Sequence, residues 1–195
     1  MKVLKFGGTS VGSSENITRV KEILANQPES FVVVVSAFSG TTNLLESLAN
    51  SAIVDEHKSV LQELHEKHHV IISELLNSTS AAEVLELVDS EFKQLQTICT
   101  GISALQELSD KTLARIFSFG ERVSSKIIHS YLKQEGLNID HIDSSSLIVA
   151  EGSPLSAMVD FKSTNQRITD AINPSKSYIC GGFIAKSNAG STVVL

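Results

Sequence analysis

The residues most suited to chemistry lie near the amino terminus, in the run Lys5-Phe6-Gly7-Gly8-Thr9-Ser10. The apolar residues 3–6 before the two glycines predict a buried strand that enters a tight turn. Two glycines let backbone N–H groups approach an anion closely, and a helix that starts soon afterwards adds its positive end. Lys5 would supply a full positive charge for a phosphoryl group. The glycine spacing matches neither a P-loop nor a dinucleotide-binding loop, and a tight strand–helix turn with a surface lysine is the alternative.

A second polar group, Ser36-Ala37-Phe38-Ser39-Gly40-Thr41-Thr42-Asn43, follows the next predicted strand. Hydroxyl groups and free N–H groups before a helix are the neutral donors that a carboxylate or phosphate requires. Ordinary capping is the alternative, although capping alone would use only one of these residues.

A third group, Phe119-Gly120-Glu121-Arg122, combines a glycine with a charged pair. We predict a glycine hinge here, followed by a helix that starts near Glu121. A carboxylate at a helix start is stabilised by the helix dipole. Residue type alone therefore favours a structural role for Glu121 over a functional one.

The segment His65-Glu66-Lys67-His68-His69 contains the H-E-x-x-H pattern of zinc peptidases. The apolar stripe of the predicted helix centres near His68, which leaves His65 and His69 toward its polar flank. Ile72 and Leu75 occupy the positions where the extended zinc motif requires a glycine and a third histidine. We interpret the segment as a solvated helical face and predict no metal site. A zinc peptidase that uses His65 and His69 is the weaker alternative.

The elements around these groups predict an α/β fold, with an open, largely parallel sheet and helices on both faces. Residues 3–6 and 31–35 predict strands joined by a helix that carries apolar residues over 17–24, which is a βαβ unit. Strand patterns are almost absent from residue 53 to about 132. Two amphipathic stripes separated by the turn 77–80 predict an antiparallel helical pair, inserted at about 53–118.

The rest of the chain predicts a return to alternating elements. A helix capped by Ser109-Asp110 is predicted to be interrupted at Gly120. Strands are predicted at residues 147–149 and, more weakly, at 138–142, and Ser163 is a candidate cap for a later helix.

The last elements predict a β-hairpin. Residues 177–185 and 191–195 have strand character and are joined through Asn188-Ala189-Gly190. The apolar stop at residue 195 indicates either the last strand of the fold or part of a longer chain.

Composition limits the function classes. The 195 residues carry 16 Lys+Arg against 22 Asp+Glu, a formal net charge of −6, which argues against nucleic-acid binding. Cys99 and Cys180 do not form a disulfide framework, which favours a reducing compartment. No signal peptide and no run of 18 apolar residues is present, so no membrane partner is expected. These features predict a soluble, globular, cytoplasmic protein.

The motifs together resemble those of the aspartokinases, in the amino-acid kinase superfamily. The resemblance spans the whole chain, and its most specific part is the run Lys5-Phe6-Gly7-Gly8-Thr9-Ser10-Val11. The other matching runs are Val35-Ser36-Ala37-Phe38, Thr42-Asn43, Phe119-Gly120-Glu121-Arg122 and Gly182-Phe183-Ile184-Ala185. The helical insertion and the stretch 101–121 further resemble the kinase portion of bifunctional aspartokinase–homoserine dehydrogenases.

The resemblance implies phosphorylation of the side-chain carboxylate of L-aspartate by ATP with Mg²⁺, the first step toward lysine, threonine and methionine. It implies that Lys5 is catalytic and that Lys5, Gly7, Gly8 and Thr9 bind the phosphoryl group. It implies further that Ser36 and Thr42 hold the aspartate, that Glu121 pairs with its ammonium group, and that Phe183 lines the pocket. A homo-oligomer is expected for the full-length enzyme.

One family motif is absent. A Gly-Arg-x-Gly-Ser-Asp segment, which supplies an arginine for aspartate and an acidic residue near the metal, would follow Leu195. Residues 1–195 are therefore expected to be the amino-terminal lobe of a kinase domain, inactive alone, without the nucleotide-binding half or regulatory domains. The alternatives are a non-catalytic amino-acid sensor and a kinase for another carboxylate, such as glutamate or acetylglutamate.

Overall fold

The structure, a computed structural model, describes residues 1–195. The helices are α1 (Ser14–Ala25), α2 (Thr41–Ile53), α3 (Lys58–Leu75), α4 (Ser78–Leu105), α5 (Asp110–Gln134), α6 (Ser144–Leu147) and α7 (Phe161–Ala171). The strands are β1 (Lys2–Phe6), β2 (Phe31–Val35), β3 (Ile139–His141), β4 (Ala150–Ser153), β5 (Ser156–Val159), β6 (Ser177–Gly181), β7 (Ile184–Lys186) and β8 (Thr192–Val194). No helix combines the length and apolar character needed to cross a lipid bilayer.

A four-stranded parallel sheet in the order β1-β2-β6-β3 forms the centre of the fold. With its seven helices, the chain has the predicted α/β class. The predicted βαβ unit is present as β1, α1 and β2, and the Ser13 side chain caps α1 by accepting a hydrogen bond from the Asn16 N–H. The weak strand prediction at 138–142 is confirmed by β3.

One face of the sheet carries the main core. Leu4 and Phe6 stand in register with Val33 and Val35, and Val33 stands in register with Ile179. Because side chains alternate along a strand, these residues share a face. Val33, Val35 and Ile179 join apolar residues of α1 and α5 in a cluster of 32 buried residues, and the partly buried Leu4 and Phe6 pack against it. The core therefore fixes α5 against the sheet.

The predicted helical pair is α3 and α4. Asn77 caps α4 by accepting a hydrogen bond from the Ser80 N–H. The two helices run antiparallel, since His65 contacts Phe92 while Lys58 lines the same cleft as Gln96. Within the predicted 53–118 segment, the pair occupies Lys58–Leu105 and α5 begins at Asp110.

The predicted break at Gly120 is wrong. Helix α5 runs unbroken from Asp110 to Gln134, with Ser109 as its cap. A Cβ on Gly120 would lie 2.7 Å from the Ala37 Cβ, so the glycine permits close packing of α5 on the loop after β2.

Three other local predictions need correction. Residues 144–147 form the short helix α6, and the next strand begins at Ala150 rather than at 147. Asp160, not Ser163, caps α7, because its carboxylate accepts from the N–H groups of Lys162 and Ser163. The predicted last hairpin is confirmed only for its second part, where β7 pairs with β8, since β6 belongs to the central sheet.

The packing role of Gly120 leads to a testable prediction. Gly120→Ala is expected to destabilise the fold by about 1 to 3 kcal/mol, since overpacking outweighs the helix propensity of alanine. The control is Gly101→Ala in α4, where nothing lies within 4 Å of the new Cβ and a gain of up to about 1 kcal/mol is expected. Urea unfolding of the two variants measures the difference, and equal stabilisation by both would contradict the packing role.

Candidate active site

The candidate site lies where β1, β2 and β6 end. Phe6, Val35 and Gly181 stand side by side in register at the carboxyl edge of the sheet. The loops that follow these residues therefore begin next to one another. In open parallel sheets this edge is the usual place for a ligand.

The loop after β1 presents unpaired backbone donors. The N–H groups of Gly7, Gly8 and Thr9 donate to no acceptor in the protein. The loop itself is held, because the Gly7 carbonyl accepts from the Ser10 N–H at 2.9 Å and the Asn16 side-chain amide donates to the Thr9 carbonyl at 2.9 Å. Fixed N–H groups before the amino terminus of α1 form a cradle suited to an anion.

Lys5 brings a positive charge to the same strand. Its side chain is exposed and lies on the face of the sheet opposite Leu4 and Phe6. No carboxylate lies within 4.0 Å of its amine, whereas Lys2 on the same strand pairs with Glu29 at 3.7 Å. The Lys5 charge is therefore available for an anionic ligand.

Glu121 is a buried carboxyl at the junction of the three loops. It is 6% exposed, it lies within α5 rather than at a helix start, and its Oε1 accepts from the Ala37 N–H at 3.2 Å. Burial raises the pKa of Glu121 from the ordinary 4.5 to about 7, and no cationic side chain pairs with it. The predicted stabilisation by a helix dipole is wrong, and the group is placed to receive a cation.

Gly181 makes room for Glu121. A Cβ on Gly181 would lie 2.9 Å from both the Cβ and the backbone oxygen of Glu121. On the other side, the Ser124 hydroxyl donates to the Ser36 carbonyl at 2.9 Å. The backbone of α5 is thus held against the ends of both β2 and β6.

The loop after β2 supplies hydroxyl groups and helix-start donors. Ser36 is half-buried, and Thr42 is exposed in the first turn of α2. The N–H groups of Thr42 and Asn43 have no protein acceptor. Thr41, which the motif comparison did not single out, is fully buried with an unpaired hydroxyl. These hydroxyl and N–H groups can donate hydrogen bonds to a carboxylate.

Phe183 lies in the loop after β6, the third loop at this edge of the sheet. It is half-buried and adopts φ 64°, a left-handed backbone that costs a non-glycine residue about 1 kcal/mol or more. The conformation is held because the Gly182 N–H donates to the Val35 carbonyl at 2.8 Å and the Leu195 N–H donates to the Phe183 carbonyl at 3.0 Å.

The family model for the amino acid kinase family matches residues 1–194. The chain belongs to this family. The aspartokinase of Chlamydia pneumoniae is 32% identical over 99% of this chain and 41% of its own length. A bifunctional aspartokinase/homoserine dehydrogenase of Buchnera aphidicola is 31% identical over 100% of this chain and 25% of its own length. This kinase chain is thus homologous to aspartokinases throughout, yet spans less than half of each relative.

The fold of this amino acid kinase chain matches a solved structure. Escherichia coli aspartokinase III, in complex with aspartate and ADP, superposes with a TM-score of 0.91 at 22% sequence identity. The match covers 100% of this chain and 43% of that one. It confirms the fold predicted from the motifs.

A charge cluster around the buried Glu91, which sequence reasoning missed, lies beside the candidate site. Glu91 of α4 pairs with Arg122 at 2.7 Å and with Lys126 at 2.7 Å, and its side chain is only 10% exposed. Arg122 directly follows Glu121. The ion pairs therefore tie the helical pair to the part of α5 that carries the buried carboxyl.

A second link joins the helical pair to the site. Lys67 of α3 donates to the carbonyl of Ser39, in the loop after β2. Glu91 belongs to no motif, and Lys67 occupies a position that the H-E-x-x-H pattern leaves unspecified. Glu91 and Lys67 are each distant in sequence from the residues that they contact, and only folding brings these residues together.

The arrangement fits a phosphate group and an amino acid. Gly7, Gly8 and Thr9 offer free N–H groups, and Lys5 offers a cation, which is the donor set that phosphate oxygens require. The carboxyl of Glu121 offers the opposite charge, suited to an ammonium group. The segment 7–13 itself contains no carboxylate.

Proposed function

We propose that this chain is the amino-terminal lobe of an aspartokinase, which transfers the γ-phosphoryl group of ATP to the side-chain carboxylate of L-aspartate and forms 4-phospho-L-aspartate. One observation carries the proposal: the buried carboxyl of Glu121, which pairs with no cationic side chain, lies at the same sheet edge as a cradle of free N–H groups. The ammonium group of an α-amino acid can pair with the Glu121 carboxyl, and the phosphate of a phosphoryl donor can bind to the N–H cradle.

The roles follow from charge and position. Lys5 and the N–H groups of Gly7, Gly8 and Thr9 bind and stabilise the transferring phosphoryl group. The aspartate carboxylate is ionised at neutral pH and is itself the nucleophile, so the reaction needs no strong general base. Catalysis then consists of positioning and electrostatic stabilisation.

The amino acid is held by the other loops. Glu121 pairs with its ammonium group, Ser36 and Thr42 donate to its carboxylate oxygens, and Phe183 lines the pocket. When bound, Mg-ATP supplies the phosphoryl group and neutralises charge on the phosphate oxygens. Because the cradle lacks carboxylates, the metal is expected to arrive with the nucleotide.

The chain is proposed to be part of a larger enzyme. It covers 41% of the Chlamydia pneumoniae aspartokinase and 43% of Escherichia coli aspartokinase III. We place the nucleotide-binding half outside residues 1–195 and expect the full-length enzyme to be a cytoplasmic homo-oligomer that serves lysine, threonine and methionine synthesis.

The proposal is tested with the longest reading frame that contains this chain. ADP release coupled to NADH oxidation is measured with L-aspartate, L-glutamate and N-acetyl-L-glutamate as acceptors. We expect turnover with aspartate alone, and negligible turnover by residues 1–195 in isolation. Turnover with another acceptor would reassign the substrate, whereas aspartate binding without any turnover by the longer protein would identify an amino-acid sensor.

A further inference from the structure

Two histidines and an aspartate converge between α3 and α4. His65 and His69 are one helical turn apart on α3, and their ring centroids are 4.0 Å apart. Both Nε2 atoms point to one oxygen of Asp89 on α4, at 3.1 Å from His65 and 3.4 Å from His69. All three ligand atoms lie within 4.8 Å of one another.

These distances suit a tetrahedral metal ion. With metal–ligand bonds of about 2.0 to 2.1 Å, neighbouring ligand atoms in a tetrahedron are about 3.3 to 3.4 Å apart. The two Nε2–Oδ1 distances lie close to that edge length, and the third distance, between the two Nε2 atoms, is at most 4.8 Å. Two imidazoles with one carboxylate form a donor set for first-row transition ions, including Zn²⁺.

The three ligands are reachable from solvent. The side chains of His65, His69 and Asp89 are 38%, 35% and 45% exposed. A cleft of about 430 Å³ next to them is lined by His65 and Asp89 and by the lysines Lys58 and Lys93. The cleft provides an entry path and a fourth coordination position, while the lysine charges limit the affinity for a cation.

The geometry does not support a peptidase. In the H-E-x-x-H motif the glutamate acts as general base beside the metal. Here Glu66 is exposed, and its carboxylate accepts from the Gln62 amide at 2.8 Å, one turn earlier on the same helix. The third metal ligand comes from α4 rather than from an extension of the motif.

We infer that His65, His69 and Asp89 form a binding site for a divalent transition-metal ion of the Zn²⁺ class, which joins α3 to α4. This revises the expectation, drawn from the sequence, that the segment is a solvated face without metal. The site lies outside the proposed aspartate and phosphate loops. It adjoins them through α3, because Lys67 between the two histidines holds the Ser39 carbonyl.

The test is a calorimetric titration of the tag-free, chelator-treated chain with ZnCl₂. We expect one ion per chain with micromolar affinity, and no binding of Mg²⁺. His65→Gln, His69→Gln and Asp89→Asn should each weaken binding by at least about tenfold. Glu66→Gln is the matched control on the same helix and should bind Zn²⁺ like the wild type.

A second measurement separates the site from adventitious surface binding. Co²⁺ added to the wild type should give the intense visible absorption of tetrahedral coordination, and the band should be lost in Asp89→Asn. Circular dichroism verifies that each variant is folded. Absence of Zn²⁺ uptake by the folded chain, or equal uptake by Asp89→Asn and Glu66→Gln, would overturn the inference.

Discussion

Replacing Lys5 with alanine is expected to lower kcat of aspartate phosphorylation by a factor of about 10² to 10³, the usual effect of removing one preorganised group that stabilises transition-state charge. The physical reason is the unpaired amine beside the free N–H groups of Gly7 and Gly8, which no other side chain in the loop can replace. Steady-state kinetics of the active full-length protein measures the effect.

Lys2→Ala is the matched control for this experiment. Lys2 lies on the same strand and is exposed, but it pairs with Glu29 and lies at the opposite end of β1 from the cradle. We expect its removal to leave kcat within roughly twofold of the wild type, since Lys2 lies away from the cradle and the loss of a surface ion pair changes stability by about 1 kcal/mol or less. Equal turnover by Lys5→Ala and the wild type would remove Lys5 from the mechanism.

Glu121→Gln is expected to stabilise the ligand-free protein while weakening aspartate binding. The folded state holds the Glu121 proton more tightly than the unfolded state, because burial raises its pKa to about 7. The stability contribution of this group is greatest below pH 4.5 and is lost as the pH rises toward 7. Relative to the wild type, the variant should therefore gain about 2 to 3 kcal/mol between pH 5 and pH 8.

Chemical unfolding at the two pH values measures this gain. If the unfolding free energies of the variant and the wild type differ by the same amount at pH 5 and at pH 8, Glu121 does not titrate near neutral pH. The Gln side chain keeps an acceptor for the Ala37 N–H, so the hydrogen bond seen in the wild type is retained.

Aspartate binding by the wild type should become tighter as the pH rises, whereas the stability contribution of Glu121 decreases. Pairing with an ammonium group requires ionised Glu121, so the wild type should bind aspartate about tenfold more tightly at pH 8 than at pH 6. Glu121→Gln should bind weakly and without this dependence. Titration calorimetry of both proteins at the two pH values measures this difference. If Glu121 had only a structural role, the aspartate affinity of Glu121→Gln would keep the pH dependence of the wild type.

The sequence predicted the elements whose patterns are local. The βαβ unit of β1, α1 and β2 follows from an apolar run, a serine cap and a β-branched run, and each acts within a few residues. The family resemblance assigned roles to residues in the loops after β1 and β2. Because these two strands are adjacent and parallel, both loops begin at the same carboxyl edge of the sheet.

Other features depend on partners far away in the chain. Gly120 was predicted to interrupt a helix because glycine has low helix propensity, but tertiary contact with Ala37 requires it there. Residues 177–185 were predicted as a single strand, although Gly181-Gly182 lies within them and β6 ends at Gly181. At that end Glu121 of α5 packs so closely that a Cβ on Gly181 would lie 2.9 Å from it, a contact that the sequence does not show.

Partners brought together by helix packing were also invisible in the sequence. Asp89 is 20 residues from His69, and Glu91 is 35 residues from Lys126. No short motif encodes either spacing, so only the packing of α4 against α3 and α5 identifies these pairs.

The strand order has a consequence for synthesis on the ribosome. β6 lies between β2 and β3, although most of the chain separates it from β2 in sequence. At translation rates of about 5 to 20 residues per second, the open edge of β2 waits on the order of ten seconds for its neighbour. During that interval one edge of the apolar, β-branched strand β2 is unpaired, since β1 pairs only with its other edge. We therefore expect the central sheet, and with it the packing of Gly181 against Glu121, to be completed only after Gly181 has emerged.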